Sequence, residues 1–190
     1  MNLGEAKKRA LSVMAEYSID GTLIPDNENA DYLNRMNRFA NDAQFEISEK
    51  IPIESSFYME QFGNNSTGYT RYDLPKDFKE MGSMLLNGSP FLPFRVQGRS
   101  FSLPSNVTGS FELIYHKNPT ELDDKTPDSY EFEVDQYAQQ IIPYYMGGMA
   151  LADENVTIAD RLMNLYYTKL QALYKRNNDY PQTILNVFNW

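Results

Sequence analysis

The sequence holds one histidine and no cysteine, which narrows its chemistry at once. Disulfides, thiolate zinc sites and thiol nucleophiles are removed together. His116 is the one side chain whose ordinary pKa lies near neutrality. No G-x-S-x-G elbow accompanies it, and at the end of an alternating run it reads as a solvated strand histidine. A metal would need carboxylates alone. No EF-hand spacing occurs, and Asp123, Asp124 and Asp128 read as a solvated acidic loop sooner than a weak Ca²⁺ site. Gly147-Gly148 fits neither phosphate-cradling pattern. With 26 acidic residues, two carboxylates could still pair as acid and base, as in hydrolases of cell-wall sugars. No pair is set apart by its spacing. The expectation is a chain without catalytic residues, cofactor or metal, hence not an enzyme.

Binding is the remaining option. A net charge of −9 opposes ordinary nucleic-acid binding, which needs clustered Lys and Arg to release counterions. It does permit a surface that DNA slides past. Lys7-Lys8-Arg9 is the one basic cluster, and on a helix it falls mostly off the apolar stripe, as a solvated face would. Fourteen tyrosines hint at interfaces, although a core could hold many of them. Residues 179–190 are harder to leave in water. Tyr180, Ile184, Leu185, Val187, Phe188 and Trp190 make up half of that stretch, and burying each is worth about 1.5–3 kcal/mol. Such a tail either folds back on its own domain or docks on another chain. Residues 1–17 carry Glu5, Lys7, Lys8, Arg9 and Glu16, so neither a signal peptide nor a membrane span is expected.

The elements follow from the apolar period. Leu3, Ala6, Ala10, Val13 and Tyr17 step by three and four and predict a helix over 3–18. Leu33, Met36, Ala40, Ala43 and Ile47 predict a second over 28–50, about 33 Å long at 1.5 Å per residue. The middle alternates instead. Runs at 81–86 and 91–96 flank Asn87-Gly88, a hairpin dipeptide, with Pro93 suggesting an edge strand. Gly98 offers a reversal into 101–103, and Phe111, Leu113 and Tyr115 share one face of 110–116. With 56–62 and 69–74 this reads as a meander within a small sandwich or barrel. After an acidic connector at 121–135, Val134, Ala138, Ile141, Tyr145, Met149 and Ala152 restore the helical period, with a kink or fresh start at Pro143. Gly147-Gly148 suits a close helix approach. A last helix opens at Thr157, as a cap with Asp160, and runs to 176 along Ala159, Leu162, Tyr166, Leu170 and Leu173. The fold class expected is α+β: a helical bundle from both chain ends, 1–50 and 131–178, with an inserted β-sandwich or small β-barrel over 51–130 and an extended tail over 179–190.

Three stretches carry a family likeness. Tyr72-Asp73-Leu74-Pro75-Lys76-Asp77-Phe78 resembles the leucine-proline-x-aspartate-phenylalanine entry into the β insertion of podophage-type head–tail adaptor (head completion, connector) proteins of tailed bacteriophages. Gly109-Ser110-Phe111-Glu112-Leu113-Ile114-Tyr115, followed by Asn118-Pro119-Thr120-Glu121-Leu122, is similar to that family's closing strand and exit. Met149-Ala150-Leu151-Ala152-Asp153-Glu154 with the helix from Ala159 to Leu173 resembles its helical hairpin. Pro143 and the aromatic tail depart from the pattern. The resemblance implies a homo-oligomeric ring, commonly a dodecamer, in the virion neck, assembled in the host cytoplasm. Its implied partners are the portal protein, a tail or nozzle protein, and duplex DNA that passes through without tight binding; no membrane is implied. In that family carboxyl-terminal segments grip the portal, which would assign that role to Tyr180, Ile184, Leu185, Val187, Phe188 and Trp190. Two alternatives stand beside it: a tail-side joining or minor tail protein, and a carboxylate-based cell-wall hydrolase.

Overall fold

A computed structural model describes residues 1–15, 27–64 and 67–178. It mixes helices with antiparallel sheets, an α+β composition. The chain divides into two compact units, one of Met1–Ile51 with Glu121–Trp190 and one of Pro52–Thr120. The boundary after Thr120 falls earlier than the expected end of the β-rich segment at 130. The reason lies in the connector's hydrogen bonds. Leu122 N donates to Asn41 Oδ1 at 2.9 Å, Asn37 Nδ2 donates to Asp123 O at 2.8 Å, and Leu3 N donates to Tyr130 O at 2.8 Å. The connector's backbone is thus satisfied by the helical residues.

In the helical unit, α1 spans Leu3–Val13 and opens with a capping box: Asn2 Oδ1 accepts from Glu5 N at 2.8 Å while the Glu5 carboxylate accepts from Asn2 N. It is shorter than expected. Ala15 takes a positive φ of 66°, which a helix cannot pass through, so α1 stops short of residue 18. Helix α2, Asn27–Lys50, buries Tyr32, Met36, Ala40, Ala43 and Ile47. Leu33, expected in that stripe, is half-buried, and Tyr32 takes its place. Pro143 does bring a fresh start: α3, Gln136–Gln139, ends before α4, Ile142–Ala150, which carries the proline in its first turn. There its missing N–H breaks no helical bond.

Helix α4 touches α1, α2 and α5, the last spanning Val156–Asn178. Its buried residues are Ile142, Pro143, Met146, Gly147, Gly148 and Ala150; Tyr145 and Met149 of the expected stripe are half-buried, and Ala152, beyond the end of the helix, is exposed. A Cβ on Gly147 would meet Leu162, Met14 and Val13 at 3.2 Å, and one on Gly148 would come within 2.7 Å of Met163 Sδ. The glycine pair is what lets α1 and α5 approach α4. Helix α5 is capped by Asn155, whose Oδ1 accepts from Ile158 N at 3.2 Å, and not by Thr157. An amide two residues earlier reaches the free N–H groups, and the helix starts at Val156. Ala159, Leu162, Tyr166 and Leu170 form its buried face as expected, with Leu173 half-buried.

The β unit holds β1 (Ile53–Gln61), β2 (Tyr69–Asp73), β3 (Phe78–Leu86), β4 (Ser89–Pro90), β5 (Arg95–Gln97), β6 (Ser100–Pro104) and β7 (Gly109–Lys117). Asn87 and Gly88 both take positive φ, 50° and 79°, and make the predicted hairpin turn. The run at 91–96 is not one strand. Pro90 and Pro93 lack the N–H a ladder needs, so β4 ends at Pro90 and β5 starts at Arg95 in the other sheet. The meander is therefore replaced by two sheets, ordered β1-β7-β3-β4 and β2-β6-β5. Leu74, Met84, Phe101, Leu103, Phe111, Leu113 and Tyr115 from both sheets and the β2–β3 connection join in one buried cluster. Phe111, Leu113 and Tyr115 face inward together, as their period of two requires.

Candidate functional site

His116 sits on β7 with Nδ1 3.4 Å from Glu80 Oε2. The half-buried imidazole lies beside one exposed carboxylate. The acidic loop is tied up in its own turn: Asp123 Oδ1 accepts from Lys125 N and Thr126 Oγ1, each at 3.0 Å. Asp128 pairs with Lys7 at 2.7 Å. Among the described residues no cluster of His, Asp and Glu could hold a metal ion. The basic cluster is not merely solvated, because Lys7 binds the connector and Arg9 donates to Gln140 Oε1.

Among the described residues, the strongly perturbed side chains lie where α2, α4 and α5 meet. Tyr166 is fully buried, with its ring 5.0 Å from Tyr145 and 5.2 Å from Tyr167. Its hydroxyl faces the Glu46 carboxyl without completing a hydrogen bond. Burial pushes the Glu46 carboxyl up, against the lowering effects of Tyr166 and Lys50. Burial first, then the negative charges of Asp42 and Glu46, pushes Tyr145 up to about 12. Tyr166 is raised further, chiefly by desolvation. A pocket of about 310 Å³ opens beside them, lined by Glu46, Lys50, Tyr167, Leu170, Gln171 and Tyr174. Proton transfer at Glu46 is the chemistry this place could offer. Glu46 is the only carboxylate among the described residues lining it.

A larger groove, about 560 Å³, lies between α1, α3, the start of α4 and the carboxyl-terminal half of α5. Val13, Ile141, Pro143 and Leu173 make it apolar, while Arg9, Lys169 and Arg176 supply charge. Lys169 Nζ sits 5.5 Å from the Tyr144 ring centre, and the Arg176 guanidinium 4.3 Å from that of Tyr137. Cations held over aromatic faces are pre-positioned, so this groove can bind. Sequence reasoning missed it. Lys169 and Arg176 are seven apart on one helix face, which is the available signal, but Arg9 and Tyr137 join them only through tertiary packing.

The segment 179–190, with Tyr180, Ile184, Leu185, Val187, Phe188 and Trp190, lies outside the described residues. Elsewhere, Tyr58, Phe62 and Leu92 of the β unit are exposed apolar side chains. Among the described residues no helix is long and apolar enough to cross a membrane. No family model matches the sequence, and no curated protein matches it.

Proposed function

We propose that this chain is a structural, non-enzymatic subunit of a phage neck ring, joining the portal to the tail and forming part of the DNA conduit. In this reading a helical bundle built from both chain ends carries an inserted β-sandwich. The observation that carries it is the division of the chain: residues from both ends belong to one compact unit, and a separately compact antiparallel unit interrupts them in sequence. That is the order of elements in the head–tail adaptors this sequence resembles. The net charge of −9 supports the role, since an acidic conduit gains nothing from counterion release and would not retain exiting DNA. The anchors Tyr180, Ile184, Leu185, Val187, Phe188 and Trp190 are assigned to the portal, where several large side chains offset a backbone ordering cost of about 1–2 kcal/mol per residue.

Electron microscopy of the purified chain, alone and mixed with portal rings, tests the reading. Rings, or a collar added to the portal, are expected, and a chain ended at Asn178 should stay folded but leave the portal bare. A chain that never forms rings and never joins a portal would refute it. The raised Glu46 carboxyl in its pocket supplies one of the two carboxylates that a competing reading, a carboxylate-based cell-wall hydrolase, requires. Turnover of purified wall glycan that disappears in Glu46→Gln would establish that alternative; absence of turnover in the unaltered chain removes it.

A further inference from the structure

We propose that the pocket beside Glu46 binds a primary ammonium ion carried on an alkyl stem. The proposal does not rest on the ring reading. Glu46 and Lys50 reach the pocket from α2, while Tyr167, Leu170, Gln171 and Tyr174 share one face of α5. The Tyr166 hydroxyl faces the Glu46 carboxyl from the interior, fully buried and without a completed hydrogen bond. Lys50, one helical turn from Glu46, is exposed and forms no ion pair with it among the described residues. A carboxylate that burial disfavours and no partner neutralises is costly to keep. A cation that enters the pocket removes that cost.

The walls select the kind of cation. The bland reading, a carboxyl hydrated by solvent, accounts for Glu46 but not for its neighbours. Tyr167 and Tyr174 are 43% and 47% exposed, and among the described residues no cation stands over either ring. They lie two turns apart on α5, about 10 Å at 1.5 Å per residue, with Leu170 between them. Aromatic faces beside a carboxylate attract a cation, and Leu170 offers its stem an apolar surface. A divalent metal needs several hard oxygen ligands, and Glu46 is the only carboxylate among the described lining residues. A guanidinium takes both carboxylate oxygens side by side, and the Tyr166 hydroxyl faces this carboxyl already. An ammonium spreads its three donors, one for Glu46 and the others for the Gln171 amide oxygen or solvent. A pocket of about 310 Å³ admits such a group with a short alkyl chain.

Calorimetric titration of the full chain at neutral pH tests the site, with n-butylammonium chloride as the probe and n-butanol and sodium chloride as controls. Saturable one-to-one binding of the ammonium is expected, and none of the alcohol. Glu46→Gln should weaken binding about tenfold or more, with circular dichroism showing that variant folded. Tyr167→Leu and Tyr174→Leu keep an apolar wall but lose the ring faces, and each should weaken binding about two- to fivefold. Lys50→Gln removes a like charge and should tighten it. Two further ligands separate the sources of such an ammonium. Butane-1,4-diammonium stands for a free polyamine, and Nα-acetyl-lysine N-methylamide for a lysine side chain offered by another chain; the tighter of the two names the source. Failure of n-butylammonium to bind saturably would overturn the site. So would equal binding of n-butanol, or a Glu46→Gln variant that binds the ammonium undiminished. None of these outcomes touches the portal imaging, so the ring reading stands or falls separately.

Discussion

Gln61 in the β unit and Gln139 in the helical unit solve one problem in two settings. Each is almost fully buried, and each donates its two amide protons to backbone carbonyls, at the end of β6 and the turn after it for Gln61 and in the connector before α3 for Gln139. Gln61 Nε2 donates to Pro104 O and Val107 O at 2.8 and 2.7 Å, and its Oε1 accepts from the Tyr72 hydroxyl at 2.8 Å. Gln139 Nε2 donates to Phe132 O and Val134 O at 3.0 and 2.9 Å, and its Oε1 accepts from Met1 N at 2.6 Å. A buried carbonyl must find a donor, and one side-chain amide serves two. The units differ in what surrounds the clamp. The β unit closes over an apolar cluster, whereas the helical unit buries Tyr166 against a carboxyl. Both interiors should respond to volume and, through buried tyrosines such as Tyr115 and Tyr166, to high pH, while among the described residues the helical unit alone adds a raised carboxyl, Glu46.

The largest effect should come from emptying each core. Tyr166→Ala and Phe101→Ala remove fully buried rings, each at about 3–5 kcal/mol. Hydrogen exchange read by mass spectrometry should show protection lost mainly within the unit that carries the change. Equal loss in both units would mean they unfold as one, and the comparison would break.

Smaller losses should follow from the clamps. Gln61→Leu takes the side-chain donor from Val107 O, while Pro104 O keeps Val107 N at 3.2 Å, and Gln139→Leu takes it from both Phe132 O and Val134 O, each orphaned carbonyl costing about 1–3 kcal/mol. Urea titration should find the larger loss in Gln139→Leu. A near-neutral result for Gln139→Leu would show that its loop has another way to satisfy those carbonyls.

Protons should separate the units by the smallest margin. Tyr145, at about 12, and Tyr166, raised further, keep their protons in the fold after the unfolded tyrosines, near 10.0, release theirs. That stability is full below pH 10 and declines as pH rises toward 12. Glu46 acts in the same sense lower down: its contribution is full below its ordinary value of 4.5 and falls as the buried carboxyl ionises above it. Glu46→Gln should therefore raise stability at neutral pH and flatten that dependence. Thermal melts across pH would check it, and an unchanged profile would show that Glu46 is better solvated than its surroundings suggest.

How much of this was legible in the sequence depends on the distance over which each feature is decided. Asn87-Gly88 and the restart at Pro143 are settled by the residues themselves, and both were readable. The buried faces of α2 and α5 were mostly readable too, because a period of 3.6 accumulates over many residues. The assignment of β5 to a different sheet from β4 was not, since it depends on partners such as Ser100 and Phe101. Thr157 was a plausible cap in isolation and lost to Asn155, a choice made by where α4 ends. The groove and the Glu46 pocket were invisible for a similar reason: their side chains come from helices far apart in the chain, and nothing local distinguishes Arg9 from Lys8.

The division of the chain also sets a schedule. Helices α1 and α2 leave the ribosome with their apolar stripes complete, yet α4, the helix both pack against, comes later. About 90 residues separate the end of α2 from the start of α4, a delay of about 5–20 s at synthesis rates of about 5–20 residues per second. During that interval the β unit, whose first strand pairs with its last along Ile53 to Gln61, has everything it needs to fold. The two leading helices must wait with Met36, Ala40 and Ile47 uncovered, and that waiting period is when a chaperone, or a premature meeting with another nascent chain, would find this protein most open to capture.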